Sequence, residues 1–133
     1  MNAFTLVLQD ATRSERIEDV SSFVGEDSSG SFGIRANHAR MMTALVTGLA
    51  RFRIAGGDWQ YLAMPGAVLY FFNNVLTLST RRYLRDDDYT RISEALQEQL
   101  LTEEQQLHTT RDSLRRMEES LLKRLWDLGQ KGG

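Results

Sequence analysis

Between Asp88 and Leu128 the chain contains neither glycine nor proline, whereas the stretch before it is punctuated by Gly, Asn and Asp. Within that interval Tyr89, Ile92, Leu96 and Leu100 recur at three and four, and Leu107, Leu114, Leu121 and Leu128 recur at seven, with Met117 and Leu125 between them. An uninterrupted run with this spacing gathers its apolar residues on one side only as α-helix. Asp86-Asp87-Asp88 offers a cap and favourable charge at its start, and Gly129 reads as a stop after the last apolar residue. Thr102 with Gln105 forms a box suited to capping a second helix. The segment therefore reads as two helices with a break near Thr102, or as one rod from Tyr89 to Leu128 about 60 Å long at 1.5 Å per residue. Gln130-Lys131-Gly132-Gly133 reads as a disordered end.

The first part alternates with the period of a strand instead. Phe4, Leu6 and Leu8 alternate with Thr5, Val7 and Gln9, and Ala50, Phe52 and Ile54 alternate with Arg51 and Arg53. Gly56-Gly57 separates Ile54 from Trp59, Tyr61 and Leu62, and Asn73-Asn74 separates Ala67–Phe72 from Val75–Leu78, two hairpin signals. Pro65 and Gly66 stand at a strand start, where proline is tolerated. Short strands closed by Gly, Asn or Asp predict an antiparallel β-sandwich. Charge changes at the same place: 13 of the first 80 residues are charged, against 21 of the last 53. The expected division is a β-sandwich over residues 1–82 and a helical domain over 83–133, with truncation after Leu84 leaving the sandwich folded.

Several function classes are disfavoured. A formal charge of −2 argues against a general nucleic-acid binder, and the basic cluster Arg81, Arg82 and Arg85 around Tyr83 is offset by the adjoining aspartates. There is no cysteine, hence no thiolate chemistry, and the acidic start does not read as a signal peptide. The longest apolar run, Ala67–Phe72, is far short of the roughly 20 residues of a spanning helix, so membrane association is expected only through a partner. His38 and His108 lack neighbours at ligand spacing, and no metal site is expected. Gly25–Gly33 lacks the Gly-Lys-Ser/Thr ending of a phosphate cradle and reads as a strand connection. No nucleophile, base or carboxylate pair forms a catalytic constellation.

Residues 30–43 read Gly-Ser-Phe-Gly-Ile-Arg-Ala-Asn-His-Ala-Arg-Met-Met-Thr, an expected irregular loop between strands in which Asn37 suits positive φ. This stretch resembles the loop Gly-(Glu)-x-Gly-Ile-x-Pro-Gly-His-Ala-x-(Leu)-(Leu)-Thr of the epsilon subunit of F-type ATP synthases, matching at Gly30, Gly33, Ile34, His38, Ala39 and Thr43. It departs at Ser31, Ala36, Asn37, Arg40, Met41 and Met42, and the loss of both prolines leaves the loop less preset. Gly66-Ala67 through Asn74-Val75-Leu76-Thr77 is similar to the family's second signature, a Gly-Gly pair opening a strand closed by Asn before a Val-Thr-Val run.

The resemblance implies a non-catalytic rotor subunit: a sandwich clamped to the gamma shaft and seated on the c-subunit ring, followed by a two-helix hairpin, turning between about residues 102 and 110, that can extend toward the catalytic alpha/beta head and restrain ATP hydrolysis. It implies ring contacts at Ser31, Phe32, Asn37 and His38 and gamma contacts at Met42 and Thr43; Arg111, Arg115, Arg116, Lys123 and Arg124 are further expected to grip acidic loops of the catalytic head when the tail is extended. It places such a subunit peripherally on the cytoplasmic face of the bacterial inner membrane. No cofactor is required. Some members bind regulatory ATP between their helices through an Asp and an Arg, here at Asp88 and Arg91 without the usual apolar flanks. The acid-rich 81–89 stretch also resembles the alternative N-type ATPase form. The other readings are a free-standing adaptor with a coiled-coil-like tail, and a nucleotide sensor using Asp88 and Arg91.

Overall fold

A computed structural model describes residues 2–131. The first alternating segment is β1 (Phe4–Gln9), with Phe4, Leu6 and Leu8 buried. It pairs antiparallel with the first half of β2 (Ser14–Asp27) and parallel with β8 (Val75–Ser79). That is the one parallel pairing in the otherwise antiparallel sandwich of the described residues. β1 and β8 are joined by the rest of the sandwich rather than by a hairpin, and a long connection permits parallel pairing.

β7 (Ala67–Phe72) lies between β8 and β4 (Met41–Leu45), completing one layer in the order β1-β8-β7-β4. Asn73 and Asn74 join β7 to β8 at φ 52° and 60°, the doubly left-handed backbone of a tight hairpin turn. The second layer holds β3 (Gly30–Ile34), the second half of β2, β5 (Gly48–Ile54), β6 (Trp59–Met64) and β9 (Leu84–Asp86).

β2 passes from one layer to the other. It turns at Asp19, whose φ is 59°, with the β2–β5 register shifting between Val20 and Ser22 and the Ala55 N–H donating to Asp19 O at 2.9 Å. A bulge bends a strand and costs it one residue of alternation. The buried positions of β2 are accordingly Ile17, Val20, Phe23 and Gly25, which period-two reading does not mark as a strand. Gly25 is needed there, because a Cβ would stand 2.9 Å from the Phe23 ring.

Between the layers Phe4, Phe23, Phe52, Phe71, Leu6, Leu62, Leu69, Leu76 and Leu78 form the core, with the Phe4 and Phe71 rings edge to face at 5.6 Å. Tyr83 belongs to this core; its hydroxyl donates to Glu15 at 2.9 Å, and the Arg13 guanidinium covers its ring at 4.1 Å. Arg85 pairs with Glu15, bonds Gln60 at 2.7 and 2.9 Å and lies over the Phe52 ring. The sandwich therefore runs past residue 82 through β9, which the charge shift at Thr80 does not reveal.

The chain divides between Leu96 and Gln97 into two compact units. In the first, the Tyr89 ring meets Tyr61 edge to face at 5.4 Å. Ile92, one turn on, is only 1% exposed, and Ala63, on the same side of β6 as Tyr61, is buried. Asp88 caps the helix start by accepting the Arg91 N–H at 3.0 Å. Asp86 accepts the Asp88 N–H and two bonds from the Arg91 guanidinium, both 2.6 Å. Those guanidinium bonds hold the Asp86 carboxyl well below the usual carboxylate range.

From there α1 (Tyr89–Lys131) is one continuous helix. The hairpin alternative is absent among the described residues. Thr102 does not cap: its hydroxyl donates to Glu98 O at 2.9 Å, and Thr109 and Thr110 bond back to Gln105 and Gln106 O in the same way. Gly129 lies within the helix rather than ending it, and the expected disordered end is helical to Lys131, its last two residues lying outside the described ones.

Two outcomes follow for stability. A chain ending at Leu96 retains the urea transition of the sandwich, read by Trp59 fluorescence. One ending at Leu84 loses the Arg85 contacts and Ile92 burial and is less stable by about 2–5 kcal/mol. Because the folded-state carboxyl of Asp86 is depressed, its contribution is complete above about pH 4 and fades as pH falls below that. Urea melts of Asp86→Asn and the parent chain therefore differ at pH 7 and converge on acidification.

Candidate functional site

The stretch from Gly30 to Thr43 is less irregular than expected. β3 and β4 take up its ends through pairing with β2 and β7, leaving residues 35–40 as the loop. Within the loop the His38 N–H donates to Arg35 O at 3.2 Å, and Asn37 sits at φ 67°, the left-handed conformation expected of it. Asn37 and Asn74 then clasp one another. The Asn37 N–H donates to Asn74 Oδ1 at 2.6 Å, and Asn74 Nδ2 donates to Asn37 Oδ1 at 3.0 Å. The β7–β8 turn thereby fixes the loop tip, a coupling across 37 residues that no local motif announces. His38 rests edge-on against Phe71 at 5.9 Å, with Nδ1 2.7 Å from Ala39 O. Arg40 lies over both Tyr70 and Phe72, at 5.6 and 5.4 Å.

These contacts border the outer face of the β1-β8-β7-β4 layer. β7 sends Leu69 and Phe71 into the core and leaves Val68, Tyr70 and Phe72 outside. Met42 stands opposite Tyr70 and Ala44 opposite Val68 on β4, and Thr77 and Val75 stand opposite Tyr70 and Phe72 on β8. Val7 continues the row beside Thr77. Met42 is 68% exposed and Phe72 52%, so the face is apolar and open to solvent. Its sequence signal is Ala-Val-Leu-Tyr-Phe-Phe itself: a strand without a polar alternate is built to be covered on both sides.

The expected contact residues separate accordingly. Ser31 is exposed on β3, whereas Phe32 is half-buried and packs on the core. Asn37 and His38 share the loop tip with Asn74 and Phe71. Met42 faces outward, but the Thr43 hydroxyl donates to Asp27 Oδ2 at 2.8 Å. The same carboxylate accepts the Ser29 hydroxyl and N–H, and these bonds, Ser29's first, lower its pKa. The Gly25–Gly33 segment is thus an aspartate-stabilised hairpin turn, the strand connection expected of it. Asp88 and Arg91 are occupied at the helix start, and residues 89–131 provide no second helix to enclose a nucleotide between two.

In the second unit Arg111, Arg115, Arg116, Lys123 and Arg124 are exposed along α1, as are Leu107, Leu114, Met117, Leu121, Leu125 and Trp126. Asp112 pairs with Arg115 at 3.4 Å and His108 at 3.3 Å. No helix among the described residues is long and apolar enough to cross a membrane.

Asn74→Gly keeps a residue suited to left-handed backbone while removing both clasp bonds. Hydrogen exchange at the Asn37 amide is expected to accelerate by about 10- to 100-fold, with the β7 amides unchanged. An unaltered Asn37 rate would show that the clasp does not hold the loop.

Comparison with known proteins agrees with this geometry. A family model described as the ATP synthase Delta/Epsilon chain beta-sandwich domain matches residues 4–86, ending where β9 ends. "ATP synthase epsilon chain 2" of Cereibacter sphaeroides is 31% identical over 83 residues, 62% of this chain and 57% of that one. "ATP synthase epsilon chain" of Synechocystis is 39% identical over 57 residues, 43% and 41% of the two chains. The chain thus spans about half the length of these curated relatives. The fold is similar to a chain of the Euglena gracilis mitochondrial ATP synthase (OSCP/F1/c-ring, rotational state 1), with TM-score 0.60, 17% identity and coverage of 74% and 64%. It is also similar to one from the Tetrahymena thermophila central stalk and c-ring, with TM-score 0.53, 10% identity and coverage of 60% and 64%. With its sandwich matched from the first strand to the ninth, the chain belongs to the ATP synthase delta/epsilon family.

Proposed function

We propose that the chain is the non-catalytic epsilon subunit of an F-type ATP synthase, its sandwich linking the gamma shaft to the c-subunit ring. The observation that carries this reading is the open apolar face around β7. Met42, Val68 and Phe72 are exposed around the half-buried Tyr70, and covering them gains roughly 25 cal/mol per Å² of apolar surface removed from water. On this reading Met42 is an anchor on gamma, and Thr43 holds β4 in place through Asp27. Ser31, Phe32, Asn37 and His38 are assigned to the c ring, with Phe32 shaping the edge from within and the Asn37–Asn74 clasp presenting the loop. The relatives' printed names, all epsilon chains, support the assignment, and "epsilon chain 2" accords with the alternative, second-copy ATPase. The subunit would sit on the cytoplasmic face of the bacterial inner membrane, attached only through the complex.

The helix supports a regulatory role. Its exposed leucines and its cations Arg111, Arg115, Arg116, Lys123 and Arg124 offer a second surface, suited to acidic loops of the catalytic head.

The test is recovery of the rotor from host membranes in mild detergent. Met42→Glu and Phe72→Glu are surface changes, expected to alter stability by about 0.5 kcal/mol or less. They are expected to abolish recovery of gamma, and alanine at the five tail cations to raise ATP hydrolysis by the assembled enzyme. Recovery of no rotor subunit by the folded parent chain would favour the free-standing adaptor, and unchanged hydrolysis would reduce the cations to a solvated face.

A further inference from the structure

The opposite layer carries a feature of which the rotor reading uses only Asn37. On the outer side of β5 and β6, Arg51 and Arg53 both lie against the Trp59 ring, their guanidinium carbons 4.4 and 4.6 Å from its centroid. Ser22 stands opposite Arg53 on β2, and Arg35, the first residue after β3, lines the same cleft. A cleft of about 450 Å³ opens here, lined by Ser21, Ser22, Arg35, Arg53 and Trp59, with Asn2, Ala36 and Asn37 completing it. No carboxylate is among its lining residues. Among the described residues Arg35, Arg51 and Arg53 form no ion pair, and Arg53 Nε is buried without a hydrogen-bond partner.

We infer that this cleft binds a phosphate oxyanion. Like charges held on one sheet face repel one another, and an anion between them removes the repulsion. Guanidinium groups match phosphate oxygens by paired, charge-assisted donation. The unpartnered Arg53 Nε–H adds a further charge-assisted donor and the Ser22 hydroxyl a neutral one, while the Ser21 hydroxyl donates to Arg53 O at 3.3 Å. Stacking on Trp59 restricts Arg53, so less freedom is lost on binding. The volume exceeds what a bare phosphate fills and accommodates an ester substituent, which a soluble phosphate ester or an anionic lipid headgroup would equally supply. The assignment stands independently of the rotor reading.

The test uses the full chain carrying Trp126→Phe, an exposed position, so that Trp59 alone reports. Titration with inorganic phosphate at constant ionic strength is expected to change Trp59 fluorescence saturably. Arg35→Gln is expected to weaken the response about tenfold without moving the thermal midpoint. A parallel arm floats the chain with phosphatidylglycerol or phosphatidylcholine vesicles. Saturation by free phosphate, weakened about tenfold in Arg35→Gln, supports a soluble source. Flotation with phosphatidylglycerol alone, lost in the same variant, supports a headgroup. No response in either arm, or a response surviving both Arg35→Gln and Arg53→Gln, overturns the inference.

Discussion

The two-sided apolar character of β7 governs the organisation of the first unit. Leu69 and Phe71 are fully buried between the layers, while Val68, Tyr70 and Phe72 form the centre of the opposite face. Strand geometry does not let one change without the other, because a one-residue slip exchanges the two sets. Both faces being apolar, the strand needs β4 and β8 to fix its register and a cover that the sandwich itself does not provide.

The polar contacts around this strand have a common effect, which is to hold functional backbone on rigid elements. The left-handed Asn73-Asn74 turn sets the β7–β8 register and supplies the amide that clasps Asn37. Asp27 joins the β2–β3 turn to β4 through Thr43. At the far edge Arg85 closes the core over Phe52 while the adjacent Asp86 secures Arg91 at the helix start. Consecutive residues of β9 thus serve the sandwich and the helix from opposite sides of one short strand.

Much of this was legible in the sequence where the physics is local. Alternation marks β1 and β5, paired Gly or Asn marks the β5–β6 and β7–β8 turns, and freedom from breakers marks α1. Reading failed where a distant contact decides. The Asp19 bend turns the period of β2 from two to three, so Ile17, Val20 and Phe23 do not look like one strand. Tyr83 sits in a charged neighbourhood that resembles a linker until Glu15 and Arg13 are brought beside it. Thr102 and Gly129 are a plausible cap and stop that the continuous helix overrides. Of the residues expected to make contacts, Asn37 and His38 lie at the loop tip, whereas Phe32 and Thr43 are partly internal. The apolar face was visible as an unbroken run in β7, but only the strand register joins Met42 to it.

The central claim is that the outer face of β7 and β4 is a docking surface for the gamma shaft. The parent chain has no cysteine, so Met42→Cys introduces a single, uniquely placed thiol. Attaching a short photoactivated cross-linker there and irradiating host membranes tests the claim directly. One dominant adduct is expected, its partner peptide mapping to gamma. Failure to cross-link in the assembled complex, or adducts to the c ring or catalytic head alone, would contradict it.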